Sequence, residues 1–293
     1  MPAQSPPNHK GARIINAMSV DVEEYFQVSA FEKHIDRGDW ERLPGRAEAS
    51  VDRILALFSD QGVKATFFTL GWMAERHPKM VKRIVDDGHE LASHGWSHVR
   101  VTEQSPGEFR QDVVRTRSLL EDLSGQPVRG YRAASYSIGA DNLWALDILG
   151  ETGHRYSSSI FPIRHDLYGM PEAPRFAFRP GEGGLLEVPI TTVELMGRKI
   201  PCGGGGWFRF FPYQFSRWAI DHVNRRERQP AVFYFHPWEI DSEQPRQQGL
   251  GFKTRFRHYL NLERMEQRLT RLLQDFSWGR MDSIFLESTE SNA

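Results

Sequence analysis

The stretch Pro78-Lys-Met-Val-Lys-Arg-Ile-Val-Asp-Asp-Gly-His-Glu-Leu-Ala-Ser-His94-Gly-Trp-Ser-His98 decides the fold. Its first half places Val81, Ile84 and Val85 on one helical face, with Pro78 suited to the first turn and Gly88 to the stop. Its second half is a short strand, 90–93, that runs straight into His94. The unit is therefore helix, glycine, strand, and a polar residue at the strand end.

The same alternation extends in both directions. Residues 13–22 read as a first strand, 49–59 carry Val51, Ile54, Leu55 and Phe58 at helical spacing, and 64–70 are rich in β-formers. Downstream come a helix over 106–123, a strand over 128–133, a helix near 142–149 and strands over 185–190 and 231–235. A final helix over 262–276 lines up Leu262, Met265, Leu269, Leu272, Leu273 and Phe276. Strands alternating with helices imply parallel strands joined by crossovers, hence an α/β fold that is either a barrel or a doubly wound sheet. No long linker or repeat interrupts 13–280, which reads as one domain between a disordered lead-in, 1–12, and a tail, 281–293.

Composition narrows the function classes. The chain has 293 residues, with 37 basic against 38 acidic side chains and a net charge of -1, so nothing points to nucleic acid as a partner. A lone cysteine, Cys202, excludes an intramolecular disulfide framework and a cysteine-based zinc site. The first ten residues lack the apolar core of a signal peptide and no stretch is long and apolar enough for a membrane span, which leads to the expectation of a cytoplasmic protein.

Polar residues stand at the strand ends: Asp21 and Glu23 at the first, then His94, Arg132 and His236. In α/β barrels chemistry gathers at such C-terminal ends. His94 and His98 are four apart and point the same way if the backbone makes a helical turn between them. Two neutral imidazoles and a carboxylate are what a three-ligand catalytic metal site uses, with a position left for water, and the chemistry suggested is metal-assisted hydrolysis. Each residue also has a plainer reading. The histidines could be surface or capping groups, and Asp21, Glu23 and Glu24 a solvent-facing acidic strand end. Arg132 in isolation reads as a surface ion-pair partner, and His236 as a satisfied core group. Gly203 to Gly206 lack the lysine and serine or threonine of a phosphate loop and read as a flexible loop. The aromatics that follow, Trp207 to Phe211, either flank a sugar-binding cleft or pack in the core.

Taken together, Ser-Val-Asp-Val-Glu-Glu-Tyr-Phe (19–26), Ala-Thr-Phe-Phe (65–68), Gly-His-Glu-Leu-Ala-Ser-His-Gly-Trp-Ser-His (88–98), Gly-Tyr-Arg-Ala-Ala-Ser-Tyr-Ser (130–137), Phe-Tyr-Phe-His-Pro-Trp-Glu (233–239) and Phe-Arg-His-Tyr-Leu-Asn-Leu (256–262) form a pattern. It resembles the polysaccharide deacetylases of the NodB-like carbohydrate esterase family, in particular the subgroup encoded with exosortase-associated exopolysaccharide systems. The resemblance spans roughly 14–276 and implies a distorted (β/α) barrel of about seven parallel strands, with a family-specific C-terminal part from about 200 to 280. It implies hydrolysis of N-acetyl groups on N-acetylhexosamine units of an exopolysaccharide or its lipid-linked precursor, with one divalent metal, commonly zinc.

Carried onto this chain, Asp21 is the general base, Arg132 its partner, His236 the general acid, and His94 and His98 metal ligands. A backbone N–H near Tyr136 helps bind the oxyanion, and Trp207 and Trp238 are candidates for substrate contact. The family's usual adjacent aspartates are replaced here by Asp21-Val-Glu23, which makes Glu23 the choice for third ligand and leaves Asp21 as the other candidate. Two rivals stay open: a metal-independent amidohydrolase acting on a small cyclic amide or ureide, and a non-catalytic carbohydrate-binding protein.

Overall fold

A computed structural model describes residues 14–166, 168–180 and 184–286. In chain order the strands are β1 (Ile15–Val22), β2 (Thr66–Thr69), β3 (Glu90–Ser93), β4 (Gly130–Tyr131), β5 (Tyr156–Ser157), β6 (Leu186–Glu187), β7 (Thr192–Leu195), β8 (Arg198–Pro201), β9 (Val232–Phe235) and β10 (Ser277–Gly279). β7 and β8 form a separate antiparallel hairpin, and the other eight make one parallel sheet. Ala17 pairs with both Val232 and Gly279, and Ser19 with both Thr66 and Tyr234. So β9 runs along one edge of β1, while β10 and β2 share the other edge end to end. The sheet is thus seven positions wide, in the order β9-β1-β2-β3-β4-β5-β6, with β10 extending the β2 position. It curls toward a barrel as the resemblance implies, and the doubly wound alternative is set aside.

The gap between β6 and β9 is bridged by isolated contacts rather than a ladder. Val232 N–H donates to Thr191 Oγ1 at 2.6 Å and Tyr234 N–H to the Gly203 carbonyl at 2.8 Å. β6 is shorter than the apolar run 185–190 suggests because Pro189 has no N–H to offer a ladder.

Alternation along β1 sorts its side chains between two layers. Met18, Val20 and Val22 join Phe67, Phe233 and Phe235 in a core under the helices Ala47–Asp60 and Leu262–Asp275. Ala17 faces the barrel interior with Phe68, Ala92, Tyr156 and Tyr234. Ser19 and Asp21 share that inner face, so β1 carries a polar column up the inside of the barrel.

Two expectations are corrected here. The tail does not begin at 281: Met281–Phe285 is a helix whose Met281 and Phe285 close the barrel interior. The lead-in 1–12 lies outside the described residues, as do 287–293 of the tail. The glycine run is not a flexible loop either, because Gly205–Phe210 is a short helix. A Cβ on Gly205 would sit 2.1 Å from Glu239 Oε2, and one on Gly204 2.7 Å from the Tyr234 ring, so the glycines are there for close approach. Among the described residues no helix is long and apolar enough to cross a membrane.

Candidate active site

The carboxylates come from the end of β1. Asp21 is its last inward side chain, and Glu23, one residue past the strand, continues the same column; both are buried. The histidines come from the end of β3. His94 N–H extends the ladder by donating to the Thr69 carbonyl at 3.1 Å.

From there the chain does not make the helical turn expected between His94 and His98. Gly95 (φ 74°) and His98 (φ 54°) adopt left-handed backbone, and the segment turns tightly instead. Neighbours hold it in place. Asp112 accepts the Trp96 N–H at 3.1 Å, Gly71 N–H donates to the Gly95 carbonyl at 2.9 Å, and Arg37 reaches the Ser97 and His98 carbonyls. Burial pushes the Asp112 carboxyl up to about 6.

Glu23, His94 and His98 each present one ligand atom, and the three atoms lie within 4.8 Å of one another. His94 Nδ1 is 2.8 Å from the Arg132 carbonyl, which can only accept, so Nδ1 carries the proton and Nε2 keeps its lone pair. Burial lowers the pKa of both histidines, that of His98 well below the ordinary value, which favours the neutral imidazole that a metal binds. Glu23 Oε2 lies 3.0 Å from His98 Nε2, yet Glu23 Oε2 and His98 Nδ1 are both buried without a hydrogen-bond partner. Burial pushes the Glu23 carboxyl up to about 7, against the pull of His236. An orphaned buried oxygen facing two imidazole nitrogens fits a divalent cation, which would satisfy it and reverse that shift.

Asp21 turns instead toward Arg132. The guanidinium donates through Nη1 to Asp21 Oδ1 at 2.5 Å and to Ser19 Oγ at 2.9 Å, and through Nε and Nη2 to the Ser158 carbonyl and hydroxyl. Arg132 is 0% exposed and lies over the Phe68 ring at 4.0 Å, so the ordinary surface fate of an arginine does not hold. Asp21 is thus engaged by a cation, while the free carboxylate oxygen of the cluster belongs to Glu23.

His236 follows β9. Its Nε2 lies 3.6 Å from Glu23 Oε1, and its Nδ1 3.0 Å from Glu239 Oε2. Burial opposes a charge on this ring, but Glu23 and Glu239 outweigh it and raise the pKa to about 9. Glu239 in turn accepts from Arg209 Nε at 2.8 Å; Arg209 and His236 hold it down to about 2 in spite of its burial.

Neither Glu239 nor Arg209 had a role in the sequence reading. Glu239 is three residues after His236, the capping-box spacing, and does accept the His236 N–H at 3.0 Å. For Arg209 no local signal exists.

Other expected positions differ. The Tyr136 N–H is taken by the Ala133 carbonyl at 3.1 Å, in a tight turn that puts Ser135 (φ 51°) and Tyr136 (φ 50°) in left-handed backbone. It is not free for an oxyanion, and the Tyr136 hydroxyl reaches Asp21 Oδ2 at 3.4 Å instead. Trp238 offers no face to a sugar, because it is stacked between His236 (4.9 Å) and His258 (4.4 Å). Its Nε1–H donates to Glu23 Oε1 at 3.2 Å. Trp207 is half-buried, packed against the barrel-interior cluster and stacked on Phe211. Glu24 is no solvated acid: it is buried and caps the helix Ala47–Asp60 by accepting the Arg46 and Ala47 N–H groups.

Residues 35–156, which hold His94, His98, Arg132 and Tyr136, match the polysaccharide deacetylase family. The chain carries a polysaccharide deacetylase domain. Residues 158–286 match a domain of unknown function, DUF3473, so His236 and Glu239 of this site come from the second match. The chain is 38% identical over 96 residues to the peptidoglycan-N-acetylglucosamine deacetylase of Bacillus cereus, covering 32% of this chain and 35% of that one. It is 33% identical over 113 residues to the peptidoglycan deacetylase of Helicobacter pylori, covering 39% and 38%. A chitooligosaccharide deacetylase of Bradyrhizobium is 27% identical over 96 residues, covering 33% and 42%. The chain thus spans well under half the length of these relatives. A Mycobacterium smegmatis protein assigned to the polysaccharide deacetylases shares the fold over 100% of this chain and 95% of its own, with a TM-score of 0.64 at 19% identity.

Proposed function

We propose that this chain is a metal-dependent hydrolase that removes N-acetyl groups from N-acetylhexosamine units of an exopolysaccharide or its lipid-linked precursor. The observation that carries this reading is the convergence of Glu23, His94 and His98 on one point, with an orphaned Glu23 oxygen, between Asp21 and His236. The relatives' names, which share N-acetylated glycans, support the substrate class.

Glu23, His94 and His98 would hold the cation, zinc being the usual choice for two imidazoles and a carboxylate. When bound it supplies Lewis acidity for the attacking water and the acetyl carbonyl. Asp21, oriented by Arg132, takes the proton from water as its oxygen bonds to the acetyl carbon. As the C–N bond breaks, His236 donates its Nε2 proton to the departing amine, which cannot leave readily as an anion. The products are acetate and the free hexosamine.

The test is metal content together with acetate release from a chitin oligomer. Wild type should carry about one metal per chain, lost in the His94→Ala/His98→Ala double variant. Acetate release should stop with chelator and return with zinc. Turnover indifferent to chelator, or no metal after soaking with zinc, would sink the reading.

A further inference from the structure

A file of aromatic side chains leaves the site and runs out along the surface of residues 158–286. It begins at Tyr136, whose hydroxyl reaches Asp21. Tyr168 follows, with its ring 5.9 Å from Tyr136 and its hydroxyl bonded by Trp207. From Trp207 the rings continue to Phe211 at 6.0 Å, Phe215 at 4.6 Å and Trp218 at 5.8 Å. Phe210 adds an edge beside Trp207 and Phe211.

Tyr136, Tyr168 and Trp207 pack with the barrel interior, and the helix Tyr213–His222 explains why the outer end of the file reaches the surface. Its inward face is already filled by Tyr213, Ser216, Ala219 and Ile220. Phe215 and Trp218 share another face: Phe215 is half-buried against the cluster of Val193, Cys202 and Ala219, Trp218 is 42% exposed, and Phe210, in the short helix before, is 53% exposed. Phe210 and Trp218 are exposed, with the half-buried rings of Trp207, Phe211 and Phe215 linking them, and such an apolar patch marks a binding surface.

The chemistry of the row selects its occupant. A pyranose ring has an apolar C–H face and a polar rim, which matches a row of aromatic platforms. Arg217, beside Trp218, is paired with Asp275 at 2.8 Å, and Arg225 with Asp221 at 2.7 Å. Cations neutralised in this way do not make the basic face that an anionic lipid surface recruits. The helix alone is roughly 15 Å long at about 1.5 Å per residue, longer than one sugar.

We propose that Trp207, Phe210, Phe211, Phe215 and Trp218 form a track for the glycan chain next to the sugar being deacetylated. This rests on the deacetylase reading and sharpens it: the substrate is an extended, uncharged N-acetylated glycan, and part of the 158–286 region exists to hold it.

The experiment compares acetate release from the hexamer and the dimer of β-1,4-linked N-acetylglucosamine. Wild type should prefer the hexamer in kcat/KM. Trp218→Ala should lower the hexamer-to-dimer ratio about tenfold, Phe210→Ala less, and Trp218→Phe should restore it, since a tenfold change is about 1.4 kcal/mol. A ratio unmoved by Trp218→Ala overturns the track. So does binding of phosphatidylglycerol vesicles that Trp218→Ala abolishes, which would make this a lipid-facing surface. If wild type deacetylates neither oligomer, the deacetylase reading is what fails. The track is then judged by tryptophan-fluorescence titration with the hexamer, where equal affinities of wild type and Trp218→Ala would overturn it.

Discussion

Two histidines face the two oxygens of one buried carboxylate, and they end in opposite states. His98 Nε2 lies 3.0 Å from Glu23 Oε2, and its pKa is pushed well below the ordinary value. His236 Nε2 lies 3.6 Å from Glu23 Oε1, and its pKa rises to about 9. The residue type and the shared carboxylate are the same, so the cause lies behind each ring. His98 has burial first and then the neighbouring His94 and His236 against a positive charge, and its Nδ1 has no partner. His236 has Glu239 behind it, and Glu239 is held as an anion by Arg209. The environment thus keeps one imidazole neutral, as a metal ligand must be, and the other charged, as a proton donor must be.

The strongest way to break this comparison is His236→Ala. It removes the proposed donor and leaves the proposed ligands, so turnover should fall on the order of 10²-fold or more while bound metal is retained. Normal turnover would refute the acid role; loss of metal along with activity would make His236 part of the metal site.

Glu239→Gln tests the reason for the difference with a smaller effect. Without the carboxylate, the His236 pKa should drop toward or below its ordinary value of about 6.5, leaving the ring mostly neutral at pH 7. Turnover at pH 7 should fall about tenfold, and the alkaline limb of the pH–rate profile should move to lower pH. The same pair sets a stability signature in chelator-stripped protein. A histidine whose folded pKa exceeds its unfolded one stabilises fully below about 6.5, and that contribution is lost as pH rises through about 9. Denaturant midpoints should show this fall in wild type and much less of it in Glu239→Gln. An unchanged pH profile would mean that Glu239 only packs.

The smallest expected change is at Trp238. Trp238→Phe keeps a ring between His236 and His258 but loses the N–H to Glu23 Oε1. A stability loss of about 1 kcal/mol, read by thermal melting, should accompany a few-fold drop in turnover. A larger activity loss with unchanged affinity for metal would give the indole a direct part in catalysis.

Much of this layout is legible along the chain. The helix–glycine–strand unit around Gly88 places β3 at Glu90–Ser93 and puts His94 at its end. The run 231–235 places β9 and puts His236 after it. Stripes such as Met265, Leu269 and Leu272 identify the last helix. What misleads is local context without a partner. Arg132 reads as a surface cation until its guanidinium is seen to fill the barrel interior. Glu24 reads as one more acid until it caps a helix more than twenty residues away, and the glycines before Trp207 read as loop until Glu239 occupies the space a Cβ would need.

The sequence by itself determined the alternation from β1 to β4, the strands β6 and β9, the last long helix and the residue types at those strand ends, because periodicity and turn chemistry act over a few neighbours. Strands β5 and β10, the β7–β8 hairpin and the helix Tyr213–His222 were not legible in it. The resemblance already implied the pairing of Asp21 with Arg132; only the tertiary structure decided that Glu23 also faces His236, that Glu239 stands behind His236 and that Arg209 stands behind Glu239. Those choices depend on which buried charges meet once the sheet curls, and burial multiplies the energy of each meeting in a way that no short stretch of chain records.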